Sequence, residues 1–283
     1  MSRITAFRVA WWTVNLLFAA SLACLAFAAA REWSVRQYLH GFSDAVVSAS
    51  AQPDQKIEAI LNWMRAGPSR AMAAKPDELS PRNPENTLNY TQLLTICGSA
   101  TNAFLNLSRS SGLESRRLLL LTSDRQTKHV VAEVLVDGRW IVVDPSFRAV
   151  MRDRKGRALT RKDLQDPAKF REATSLVPNY PADYNYDRYA HVRLARLPLD
   201  GFHLRKLLES ILPGWDETLD WSLFLERESF FVLVITSAFA LISLALRLLL
   251  AWYADRRLRV PRFHFRQHFL RATFAFLTTP EIE

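Results

Sequence analysis

Two long stretches of the chain are both uncharged and predominantly apolar, and the sequence between them is mixed. Residues 10–30 are uncharged and mostly apolar, about the length that spans a bilayer. Residues 229–246 repeat the pattern and continue past Arg247 through Leu248–Trp252. Between them the periodicity changes several times. Residues 31–50 read as helix. A second helix opens at Asp54, with Ile57, Ile60, Leu61 and Met64 on one face, and Gly67-Pro68 closes it. Residues 72–90 are polar and hold Pro76, Pro81 and Pro84, which predicts a long loop. From Cys97 to Ser110, Ala100, Ala103, Phe104 and Leu107 recur at helical spacing, and Gly112 suits the C-terminal cap.

Three strand-like runs follow: Arg116 to Thr122, His129 to Val136 and Arg139 to Asp144. Asp137-Gly138 joins the last two and is among the strongest hairpin signals. Beyond Pro145 the chain reads as irregular and basic, then tyrosine-rich at Tyr180, Tyr184, Tyr186 and Tyr189. Residues 203–212 form an amphipathic segment, suited either to a membrane surface or to packing on the domain.

Charge sets the topology. The net charge of +9 gathers partly in the tail after residue 255 and partly between Arg148 and Lys162. No helix-turn-helix, RNA-binding or zinc-finger signature accompanies it, which argues against nucleic acid as a partner. Arg3 and Arg8 precede the first apolar stretch, and a basic tail follows the second. The positive-inside rule therefore puts both termini in the cytoplasm. The expected layout is a cytoplasmic N-terminus (1–9), a span (10–30), an extracytoplasmic domain (31–228), a second span (229–253) and a cytoplasmic tail (254–283), in the inner membrane with the domain periplasmic. Ala26-Phe27-Ala28 also resembles a signal-peptide cleavage site, which would leave the domain on the same side. The lipid bilayer is thus an expected partner.

There are two cysteines, Cys24 inside the first apolar stretch and Cys97 in the outer domain. A lone thiol in an oxidising compartment is either inert and buried or reactive. Cys97 stands where a loop becomes a helix, so the helix dipole and free N–H groups favour its thiolate and a developing oxyanion. The hairpin adds a geometric argument. A two-residue turn sets Val136 against Arg139 and Val131 against Asp144. His129 and Asp144 then share a face as diagonal neighbours, roughly 7–8 Å apart at the backbone. A slip of one residue would separate them. Singly each residue has a bland reading; together Cys97, His129 and Asp144 form a candidate nucleophile, base and orienting acid.

The segments Cys97-Gly98-Ser99-Ala100, Ser111-Gly112-Leu113-Glu114-Ser115-Arg116, His129-Val130-Val131-Ala132-Glu133-Val134, Asp137-Gly138-Arg139-Trp140 and Val143-Asp144-Pro145 resemble the transglutaminase-like superfamily, over residues 50–150 and in its membrane-anchored bacterial form. The resemblance implies an α+β, papain-like core, with the nucleophile helix packed on an antiparallel sheet. It also implies thioester chemistry on amide or peptide bonds, without a cofactor or metal. Val131 and Ile96 depart from the residues usual at those positions. Gln92 or Tyr90 is a candidate extra oxyanion donor. The expected activity is that of a peptidase or amidohydrolase rather than a cross-linking transglutaminase, acting on a peptide, protein or envelope polymer. A catalytically silent module binding peptide or glycan in an envelope assembly, such as one exporting polysaccharide, is the alternative. His264 and His268 lie four apart but lack a third ligand, and His191 and His203 are isolated, so none is expected to hold a metal. The Arg148–Lys162 run reads as solvated surface, and the tyrosines as loop packing or a substrate groove.

Overall fold

The computed structural model describes residues 3–66, 71–72, 75–192, 204–215 and 222–258. Gly67-Pro68, His203, His264, His268 and most of the basic tail lie outside the described residues. By internal contacts the chain divides into two units, one formed by Ala29–Val232 and the other by Met1–Ala28 with Leu233–Glu283.

The second of these units contains parts of two long helices, α1 (Arg3–Val46) and a C-terminal helix (Glu228–Tyr253). Both are long and apolar enough to cross a membrane. Leu16, Leu17, Phe27, Phe239, Leu241 and Leu249 point outward, more apolar surface than water tolerates at low cost. Within this unit Ser21 Oγ and Ser243 Oγ meet at 3.1 Å. The Arg247 guanidinium lies over the rings of Trp11 and Phe18.

The unit Ala29–Val232 is built on a five-stranded antiparallel sheet of order β4-β3-β2-β1-β5. Its strands are β1 (Ser115–Leu121), β2 (Thr127–Val136), β3 (Arg139–Asp144), β4 (Ala149–Val150) and β5 (Tyr189–Ala190). Asp137 and Gly138 both have positive φ, +48° and +74°, the two-residue turn that matches strand twist. That turn fixes Val136 against Arg139, and the ladder runs to Ala132 against Val143. Val136 against Arg139 is the register expected from the turn, and carried one residue past the ladder it sets Val131 opposite Asp144.

One face of the sheet is covered by α4 (Cys97–Ser110) and α2 (Pro53–Ala66). Ala132, Val134, Ile141 and Val143 of the sheet pack there against Phe104, Leu105, Leu107, Ile60, Leu61 and Met64. The C-terminal part of α1 adds Val35 and Leu39 to the same cluster. A Schellman motif ends α4: Gly112 has φ +82°, its N–H bonds Arg109 O at 3.0 Å, and Leu113 N–H bonds Ser108 O at 2.9 Å. The other face carries Leu118, Leu120, Val131 and Val142 under α5 (Arg161–Leu164), α6 (Pro167–Ser175) and the tyrosine-rich segment.

Two expectations need correction. Residues 72–90 are not one loop, because a helix, α3 (Pro84–Asn89), lies within them. Pro84 stands in the first turn, where its missing N–H costs nothing, and the Asn83 side chain accepts from Glu85 N–H. The prolines that suggested a loop thus start a helix. Likewise the basic stretch after Pro145 is ordered. Thr160 and Asp163 form a reciprocal capping box at α5, and Asp166 caps α6. The amphipathic segment is helical, α7 (Leu204–Ile211), followed by α8 (Ser222–Glu226) and α9 (Glu228–Tyr253), the C-terminal apolar helix named above.

Buried charges tie this C-terminal stretch into the unit. Glu226 is fully buried and pairs with Arg109 at 2.7 Å and Arg117 at 3.5 Å. Arg227 reaches Glu32 at 3.4 Å, and Ser229 Oγ donates to the same carboxylate at 2.8 Å. Removing one partner of such a pair strands a charge in a low-dielectric interior.

Candidate active site

Cys97 is the first residue of α4. The preceding Ile96 is extended and supplies no side-chain cap, so the first N–H groups of the helix have no partner from that residue. One of them, Gly98 N–H, is directed at the Cys97 sulfur. The thiol packs on a small cluster of Leu119, Leu121, Val130 and Ala190 yet stays half-exposed.

The position of α4 against β2 depends on where β3 ends. Since β3 pairs with β2 only as far as Ala132, Val130 lies beyond that ladder. Its carbonyl accepts a hydrogen bond from Thr101 Oγ1 at 3.0 Å, and its N–H is directed at the Cys97 sulfur. Thr101 is one helical turn after Cys97, on the same side of α4. One strand residue thereby holds the start of the helix at two points.

His129 lies one residue before Val130 and is buried at 2% exposure. It projects from the opposite face, near the strand's N-terminal end. Its Nε2 meets Asp144 Oδ2 at 2.7 Å. That leaves Nδ1 as the nitrogen for the thiol, with which the imidazole is hydrogen-bonded. Asp144 is wholly buried, and its oxygens divide the work. Oδ2 takes the imidazole, while Oδ1 accepts from Ser146 N–H (3.1 Å), Ser146 Oγ (2.7 Å) and Phe147 N–H (3.3 Å). The carboxylate is therefore fixed by the turn that follows β3 before it orients the ring.

The tyrosines close over this pair. Tyr184 stacks on His129 with centroids 4.3 Å apart and planes 11° from parallel, and Phe147 meets the imidazole edge-on at 6.0 Å. Tyr180 packs on Phe147 and shares a hydroxyl–hydroxyl contact of 3.1 Å with the buried Tyr186. Burial raises the hydroxyls of Tyr180 and Tyr186 well above the ordinary phenol range, so both remain neutral donors. Tyr180 and Tyr184 thus pack over the His129–Asp144 pair.

The electrostatics follow from these contacts. The hydrogen bond from His129 pulls the Cys97 thiol below its ordinary value, helped by Val130 and Gly98 N–H and opposed by partial burial. Burial disfavours the His129 imidazolium, yet the bonds to Asp144 and Cys97 outweigh it and raise the group to about 9. A lowered thiol beside a raised imidazole is the thiolate–imidazolium combination that nucleophilic sulfur chemistry uses.

The two candidate oxyanion donors part company. Gln92 sits on the 3₁₀ turn Thr91–Thr95 that leads into α4, and both polar atoms of its side-chain amide are buried without a hydrogen-bond partner among the described residues. Tyr90 is half-buried at the end of α3, and its backbone bridges Ala71. His191 is buried, with Nδ1 on Arg117 O at 2.6 Å. Among the described residues no three His, Cys, Asp or Glu side chains gather as a metal ion would require. Reasoning from the sequence missed Thr101, although its one-turn spacing from Cys97 marked it. It also left the covering role of Tyr184 open, which no local pattern encodes.

Residues 40–145 match the family model of the transglutaminase-like superfamily. The matched stretch contains all three residues and ends one position after Asp144. No curated protein and no solved structure matches the chain.

Proposed function

We propose that the chain, whose residues 40–145 match the transglutaminase-like family model, is a membrane-anchored thiol enzyme that cleaves amide bonds through a Cys97 thioester. The observation that carries this reading is the meeting of a half-exposed, acidified thiol, a buried imidazole and a fully buried carboxylate 2.7 Å from that imidazole.

In this reading the Cys97 thiolate adds to the amide carbonyl carbon, and the carbonyl electron pair moves onto oxygen. A backbone N–H at the positive end of α4 serves as the first donor to that oxyanion. Gln92 supplies the second donor. A buried amide without a partner forgoes about 1–3 kcal/mol, a cost that a donor reserved for a transient oxyanion would explain. Tyr90, engaged at the end of α3, is the weaker candidate. His129 passes its proton to the departing nitrogen as the carbon–nitrogen bond breaks, leaving a thioester. Water then attacks, His129 taking its proton, and the acid is released with Cys97 restored. Asp144 holds Nε2–H throughout and keeps Nδ1 on the reacting side. Water as acceptor makes this a peptidase or amidohydrolase; a substrate amine in its place would make it a transamidase.

The two apolar helices support membrane attachment. The arginines at both ends of the sequence support a cytoplasmic placement of the termini, with the domain outside and its substrates in the cell envelope. The test uses full-length protein in detergent and p-nitrophenyl acetate as acyl donor. At pH 7 wild-type Cys97 gains and then sheds an acetyl group by intact mass, and p-nitrophenolate is released continuously. Cys97→Ala and His129→Ala abolish turnover. A thiol that acylates no faster at pH 7 than free cysteine overturns the proposal and leaves a binding module.

A further inference from the structure

A cavity of about 340 Å³ opens between the end of β1 and the tyrosine-rich segment, lined by Leu120–Ser123, Lys128 and Asp183–Asn185 with Arg188. It adjoins the candidate site through shared walls. Tyr184, one side of the cavity, stacks on His129 and feels the charge of the Cys97 thiolate. Leu121, on another side, belongs to the cluster against which Cys97 packs. The volume accommodates a short side chain or a few backbone atoms of a substrate whose scissile bond lies at the sulfur.

Its charges are not equivalent. Lys128 Nζ is held by Asp183 Oδ2, so that pair is neutral overall. Thr122 Oγ1 is already committed to the backbone of Gln126 and to Asp124. Arg188 differs: its carbonyl accepts from Leu121 N–H at 2.9 Å, which roots the residue beside β1, while its guanidinium has no ion pair among the described residues. Asp183 is the one acidic residue in the wall, and it is spent on Lys128. Among the wall residues Arg188 is thus the positive charge without an ion pair, and a guanidinium is a planar fork of donors that matches a carboxylate.

We infer that this cavity is the substrate subsite of the thiol, and that it selects amides bearing a free carboxylate a few bonds from the scissile bond, with Arg188 as its anchor. The inference rests on the reading of Cys97 as nucleophile. Leu120, Leu121 and the Tyr184 ring would take the apolar stem of such a group, and Arg188 its charged end.

The test compares two alkylating probes of equal shape on the full-length protein in detergent: iodoacetyl-β-alanine, which ends in a carboxylate, and its terminal amide. In both, the Cys97 sulfur displaces iodide, so only the charge differs, and each protein's rate with the amide is its own reference. Wild type should favour the carboxylate by about fivefold at low salt, within the range of a partly exposed ion pair, and the preference should shrink as salt rises. Arg188→Gln should bring the ratio close to one. Asp183→Asn, which frees Lys128, should increase it. Equal rates in wild type, or a ratio unmoved by Arg188→Gln, overturn the inference. Run at pH 9, where an ordinary thiol is also largely ionised, the comparison judges the cavity independently of thiol activation. The pH profile of the amide probe alone judges the nucleophile.

Discussion

Replacing Asp144 with asparagine removes one charge from the buried pair and preserves its shape. The asparagine side chain still offers an oxygen to Ser146 and Phe147, the contacts that shape the turn after β3, so the variant should fold. What changes is the balance at His129. In the wild type the hydrogen bonds to Asp144 and Cys97 overcome burial and raise the imidazole from 6.5 to about 9, worth about 3 kcal/mol in favour of its charged form. Without the carboxylate, burial dominates and the imidazole becomes a poor cation. Cys97 then loses the partner that lowers it, and its titration should return towards about 8.5, the value of a free thiol. The assay is iodoacetamide alkylation from pH 5 to 10, read by mass on Cys97. Wild type should show a reactive thiolate well below pH 8. In Asp144→Asn the rate at pH 6 should fall by roughly 10- to 100-fold, while the rates at pH 10 converge. Stability follows the same linkage. A raised histidine contributes fully below its unfolded value of 6.5 and loses that contribution as pH rises through about 9. The gap in melting temperature between wild type and variant should therefore be widest near pH 6 and close by pH 10. An alkylation profile that Asp144→Asn leaves unmoved would refute the electrostatic reasoning.

Three further expectations rest on single contacts. Thr101→Val keeps the shape of α4 but leaves the buried Val130 carbonyl without its donor; the expected cost is about 1–3 kcal/mol by chemical denaturation, with a less reactive Cys97 at neutral pH. Tyr184→Leu relieves part of the burial that disfavours the His129 imidazolium, so the alkaline limb of the acylation profile should move to higher pH while the melting temperature changes little. Phe104→Ala empties the centre of the interface between α4 and the sheet, and about 3–5 kcal/mol should be lost, read as a large drop in denaturant midpoint.

The sequence spoke clearly where the code is local. Asp137-Gly138 specifies its turn through positive φ, and a turn of fixed length sets the register that brings His129 to Asp144. Ala100, Phe104 and Leu107 specify the buried side of α4 because helical spacing repeats within a few residues. The apolar stretches announce themselves by length. What escaped was either masked or remote. Pro84 looks like a loop residue until Asn83 is seen to cap the turn it starts. Tyr184 reaches His129 from 55 positions away, and Glu226 reaches Arg109 across 117. Such contacts depend on how layers stack, and no periodicity records them. Gln92 fell between the two: its position before the nucleophile made it a candidate, and only the structure shows its amide buried without a partner.

The Glu226 and Arg227 pairings also decide where this protein can be trimmed. The family match stops at residue 145, and a soluble form designed on that border would discard the carboxylate that Arg109, at the end of α4, and Arg117, on β1, were folded around. It would likewise lose the arginine and serine that answer Glu32 on α1. A version cut free of the two long apolar helical segments has to start ahead of Glu32 and finish beyond Ser229, keeping the polypeptide on either flank as part of the domain itself.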